Sequence, residues 1–106
     1  MVKYSLNLDD VFGSLANPVR RDILQRVSGG EQTISALADA YNISMAAISK
    51  HLTVLEKAQL IVRRKQGRER FVHLSPAAIQ EASRYLNFYE QYWTNQLDAL
   101  EKHLTK

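Results

Sequence analysis

Five cations, Arg63, Arg64, Lys65, Arg68 and Arg70, stand within eight positions of one another with Glu69 as the single acid among them. Side chains of this kind do charge-assisted hydrogen bonding, and a cluster of them suits a polyanionic partner. The formal net charge of the chain is +3, whereas this segment alone carries +4 and the remaining nine cations and ten acids leave the rest at −1. The basicity is therefore a local patch. Just before it stand Met45, Ala46, Ser49, Lys50 and Thr53, whose spacing puts them on one outward face if the segment is helical. Hydroxyls can donate to or accept from base edges, lysine suits guanine or phosphate, and a small alanine permits close approach or a thymine-methyl contact. The alternative for this set is an ordinary solvated helix face. Covalent chemistry has no foothold: the chain holds no cysteine, which removes disulfides, thiolate ligation, thiol nucleophiles and thiol redox sensing. His51, His73 and His103 pair with no pattern of nucleophile and orienting acid, so an enzyme is not expected.

These groups need elements to position them. Leu8, Val11, Phe12 and Leu15 have the spacing of a helix with one buried face, interrupted at Asn17-Pro18. Pro18 suits the first turn of a second helix, with Val19, Ile23, Leu24 and Val27 inward, until Ser28-Gly29-Gly30 stops it. Thr33 caps a short third helix carrying Ile34, Leu37, Ala38 and Tyr41, which ends at Asn42. Ser44 caps a fourth, with Ile43 and Ile48 placed as a hydrophobic staple and Ile48, Leu52 and Leu55 as its inner face. From Ile61 to Lys65 and from Arg70 to Leu74 the residues suit strands, and Gly67 lies between them, which predicts a β-hairpin with a basic tip. Pro76 opens a last helix running nearly to Lys106, with Ile79, Ala82, Leu86, Tyr89, Trp93, Leu97, Leu100 and Leu104 spaced by threes and fours.

At 106 residues the chain has length for one domain, 1–106, and buries a smaller share of its surface than a larger domain would, so oligomerisation is expected. The longest apolar run, Met45–Ile48, is far short of a membrane span, and the first residues do not read as a secretory signal. A cytoplasmic protein without membrane contact is expected. A short helix, a tight turn and a second capped helix followed by a basic hairpin predict a mainly α fold with a small β-hairpin, in the order α-α-α-α-β-β-α: a winged helix-turn-helix. Its partner would be double-stranded DNA, with the fourth helix in the major groove and the hairpin on phosphates or in a narrow minor groove. The five hairpin cations cannot all face one way, so two or three are expected to reach DNA while the others protect a strand edge. Arg20 and Arg21 are either phosphate contacts or ordinary surface charges.

From Val11 to Leu74 the sequence resembles the ArsR/SmtB family of bacterial winged-helix repressors. The stretches that carry the resemblance are LANPVRRDIL (Leu15 to Leu24), ISALADAYNIS (Ile34 to Ser44), ISKHLTVLEKAQLI (Ile48 to Ile61) and QGRERFVHLSP (Gln66 to Pro76). The resemblance implies repression of transcription by a homodimer formed through the first and last helices. Leu8, Phe12, Leu86, Tyr89, Trp93, Leu97 and Leu100 then fall at the interface, with the dimerisation helix at about 76–106. It also implies a near-palindromic operator, and it maps the family's polar recognition positions onto Ser44, Ser49, Lys50 and His51. Because His51 flanks buried Leu52, packing or local bonding is an alternative role for it.

Departures from the family pattern bear on mechanism. Metal-sensing relatives carry cysteines in the third helix or His and carboxylate ligands in the last. Here Ile34–Tyr41 has neither Cys nor His, and His103 stands five residues from Asp98, off the shared-face spacings. No metal and no cofactor are expected, and no small-molecule effector is specified. Gln59 occupies a position where relatives often carry glycine; if its backbone is left-handed, it costs roughly 1 kcal/mol. Tyr85, Phe88, Tyr89, Tyr92 and Trp93 cover more than one stripe of the last helix, so one face is expected to meet its own domain and the other a partner, an aromatic effector pocket being the alternative. Two rival functions remain: an effector- or metal-responsive sensor with the same DNA chemistry, and a winged helix used only for protein contact.

Overall fold

The computed structural model describes residues 7–105. The first helix, α1 (Leu8–Ser14), starts where the Asn7 side chain accepts hydrogen bonds from the Asp9 and Asp10 amides, and those two acids favour the positive end of the helix. Asn17 does the same for α2 (Pro18–Ser28), accepting from Val19 and Arg20 while Pro18 supplies a preset φ. Thr33 caps α3 (Ile34–Tyr41) through the Ala36 amide at 3.1 Å. Asn42, left-handed at φ 53°, closes that helix by donating its N–H to the carbonyl ends.

Ser44 then caps α4 (Met45–Lys57), its Oγ accepting from the Ala47 amide at 3.0 Å. Ile43 packs against the core and Ile48 is fully buried, the arrangement the staple requires. Beyond α4 the chain turns at Gln59, whose φ of 63° is the left-handed geometry that glycine adopts freely and glutamine does not. Strands β2 (Ile61–Gln66) and β3 (Glu69–Leu74) follow, each one residue longer than their sequence pattern. Gln66 pairs with Glu69, which leaves Gly67 and Arg68 as a two-residue turn with Gly67 at φ 63°.

One strand was not legible in the sequence. β1 (Gln32–Thr33) precedes α3 and pairs antiparallel with Val72 and Phe71, giving a three-stranded sheet in the order β1-β3-β2. A two-residue strand has no periodicity to detect, and its partner lies about forty residues away, so only the tertiary fold creates it. Ile23, Leu37, Ile48, Leu52, Leu55, Leu60, Ile61 and Val72 are all at most 2% exposed and form one core under α4 and the sheet.

The last helix, α5 (Pro76–Leu104), contributes only Ala78 and Ala82 to that core and then leaves the body. At 29 residues it is roughly 43 Å long, within principal extents of 67 × 38 × 21 Å. The expectation that one aromatic face meets its own domain holds only at the start of the run among the described residues: Tyr85 packs against Phe12 of α1, ring centroids 5.9 Å apart, while Tyr85 and Tyr89 each stay 43% exposed. Phe88, Tyr92 and Trp93 are exposed, because α1 is too short to follow them. Among the described residues no helix is long and apolar enough to cross a membrane.

Candidate nucleic-acid interface

With Ile48, Leu52 and Leu55 at zero exposure, the 3.6-residue period of α4 turns its other face to solvent. Met45, Ala46, Lys50 and Thr53 are exposed and Ser49 half-exposed. Val54, which the sequence analysis did not single out, completes a shallow groove on that face with Ala46, Ser49, Lys50 and Thr53. Two of the hydroxyls are already engaged. Ser44 holds the helix start, and the Thr53 hydroxyl donates to the Ser49 carbonyl at 2.9 Å.

His51 lies apart from this face. It is half-buried against α2, its Nδ1 3.4 Å from Nη1 of Arg20. Burial first, and the nearby guanidinium second, push its pKa below the ordinary histidine value. Arg20 and Arg21 have a use the sequence did not reveal: their side chains donate to the Ser14 and Leu15 carbonyls at 2.7 and 2.8 Å. They satisfy the carboxyl end of α1, where a cation is electrostatically favoured. Nearby, the Tyr41 hydroxyl donates to Asp22 and accepts from Arg26, joining α3 to α2.

The wing cations fall into two groups. Arg63 donates twice to Glu56 of α4, at 2.6 and 3.1 Å, and sits 3.5 Å from the Thr53 hydroxyl. Arg64 forms a two-pronged pair with Glu31 at 2.8 and 2.9 Å, and Glu31 is held below the usual carboxylate range chiefly by that bond. Lys65, Arg68 and Arg70 are exposed, and among the described residues no acid holds them. The sequence offered a partial signal for Glu56, one turn along the helix from Thr53, and none for Glu31.

A cleft of about 420 Å³ lies between the starts of α3 and α4 and the wing turn. Met45, Ala46 and Ser49 line one wall and Arg68, Glu69 and Arg70 the other, with Thr33, Ile34 and Ser35 between them. Residues from the two sequence-derived sets thus share one open surface, with hydroxyls, an apolar floor and two guanidinium groups.

Two helices joined by a tight turn, the second exposing a polar face beside a basic β-hairpin, define a winged helix-turn-helix DNA-binding protein. Comparisons with known proteins narrow the class. A family model described as a helix-turn-helix domain matches residues 15–64. The transcriptional repressor SdpR of Bacillus subtilis is 33% identical over 82 residues, which cover 76% of this chain and 91% of that protein. The HTH-type transcriptional regulator Rv2034 of Mycobacterium tuberculosis is 32% identical over 84% of this chain and 80% of its own length. The crystal structure of an ArsR-family transcriptional regulator superposes with a TM-score of 0.77 at 31% identity, covering 89% of this chain and 97% of that one. The chain belongs to the ArsR family of helix-turn-helix transcriptional regulators, as its sequence resemblance indicated, and is not an enzyme.

Proposed function

We propose that this chain is a metal-independent repressor, acting as a homodimer on a near-palindromic operator that includes its own promoter. The observation that carries the reading is the cleft in which the outer face of α4 meets the unpaired Arg68 and Arg70. In this reading α4 enters the major groove, with Met45, Ala46, Ser49, Lys50 and Thr53 against base edges and the Ser44 end nearest the backbone. Lys65, Arg68 and Arg70 take the flanking phosphates. Arg63 stays at the edge of the interface beside Thr53, and His51 supports α4 from behind through Arg20.

Dimerisation is supported by α5. Leu86, Tyr89, Trp93, Leu97 and Leu100 are 43–61% exposed along one long helix, an apolar face too large for a lone chain to leave in water. Leu8 and Phe12 of α1 are half-buried, and Phe12 meets Tyr85 of α5. Paired through α5, residues 1–106 act as one domain per protomer, and two copies of α4 address half-sites about one helical turn of DNA apart. The metal-independent part of the proposal rests on the sequence: Ile34–Tyr41 carries neither Cys nor His, and His103 of α5 stands five residues from Asp98, off the shared-face spacings.

The test is fluorescence anisotropy of a duplex from upstream of the chain's own gene against a scrambled duplex, with chelator present and salt varied. Binding of the upstream duplex tighter by roughly a thousandfold supports a metal-independent autorepressor. Equal binding to both duplexes removes the autoregulatory part, and a requirement for added metal removes the metal-independent part.

A further inference from the structure

We propose that Glu31 sets the affinity of the chain for DNA by holding the Arg64 cation out of the interface. The inference rests on the DNA-binding reading above and names the device that tunes it. Strand register decides the geometry: Arg63 stands opposite buried Val72, so it shares the face turned toward α4, where it meets Glu56. Arg64 stands opposite Phe71 and projects from the other face, away from the recognition helix.

There its guanidinium lies 4.7 Å over the Phe71 ring and reaches across β3 to the approach of β1. Nε and Nη2 each bond a separate oxygen of Glu31, and Nη1 bonds Oε1 of Gln66 at 2.7 Å. Every nitrogen of the group is occupied, and the charge is cancelled in place. His73 Nδ1 lies 3.4 Å from the same carboxylate, so Glu31 faces two basic groups across the sheet.

The pair lies at the surface: side chains of Arg64 and Glu31 are 43% and 31% exposed, so removing Glu31 frees the guanidinium without opening a cavity in the core. Arg64 sits three residues before the wing turn, and its side chain is long enough for a freed guanidinium to swing from the far face toward the wing tip. Glu31 thus withholds one cation from the count that governs salt-dependent binding. It is a positioning residue, acting through Arg64 and touching no nucleic acid itself.

Glu31→Gln, Arg64→Gln and the double variant test this, using full-length chain and a duplex that the wild type selects from a random-sequence pool. One added phosphate contact steepens the slope of log K against log salt by about 0.9, which is roughly fivefold in affinity near 0.15 M salt. Glu31→Gln is expected to show both changes. In the Arg64→Gln background the gain should vanish. Persistence of the gain there means general charge is responsible and overturns the inference, as does an unchanged or shallower slope in Glu31→Gln with a melting temperature near that of the wild type. If Glu31→Gln melts early, Glu31→Ser serves as the second variant under the same criteria. Failure of the wild type to select any duplex overturns the DNA-binding reading, and this inference with it. A wild type that selects duplexes while Glu31 variants keep its slope overturns this inference alone.

Discussion

Replacing Arg68 and Arg70 together by glutamine removes two of the three wing cations, Lys65 being the third, that the fold leaves available. Both side chains are exposed, and among the described residues no acid neutralises them, so each is free to displace counterions from a phosphate. Each lost contact takes about 0.9 from the slope of log K against log salt, so the double variant should lose about 1.8. Near 0.15 M salt this amounts to a fall in affinity of roughly thirtyfold, with no comparable change in melting temperature, because neither side chain supports the core. Arg63→Gln is the matched control: its charge is already cancelled by Glu56 at 2.6 Å, so its slope change should be well under half that of the pair. Anisotropy titrations at four or more salt concentrations read both quantities. Equal slope losses for Arg63→Gln and for the pair, or no loss for the pair, would refute the division of the wing into held and available cations.

Three further outcomes follow from the same structure. Leu52→Ala removes a side chain of zero exposure from beneath the recognition helix and should cost about 2–5 kcal/mol in denaturant unfolding, with DNA binding lost in proportion to folding. Leu97→Glu puts a charge on the exposed apolar stripe of α5; sedimentation should show a shift toward monomer, and operator binding should weaken while the monomer stays folded. His51 has a folded pKa below its ordinary 6.5, so the unfolded chain binds the extra proton first and stability falls as pH drops below about 6.5. His51→Gln should flatten thermal stability between that point and pH 5, a window above the range in which Asp22 and Glu31, both shifted down, begin to protonate. An unchanged slope in His51→Gln would show that another group carries the dependence.

What the sequence determined by itself is what local rules encode. Ile48, Leu52 and Leu55 announce the inner face of α4 by spacing alone, Thr33 and Ser44 mark helix starts because a side-chain oxygen must satisfy amides within three residues, and Gly67 marks a turn because φ is positive there. The basic patch and the polar face beside it were legible for the same reason, since residue type and period need no partner. Pairing was not legible, because it depends on residues that the chain brings together from far apart. Arg64 and Glu31 are separated by 33 positions, and Arg20 and His51 by 31. β1 exists only where β3 offers it an edge. Composition showed five cations in the wing; the fold decided which of them an acid already holds, because charge neutralisation is a matter of ångströms between side chains and not of their order along the chain.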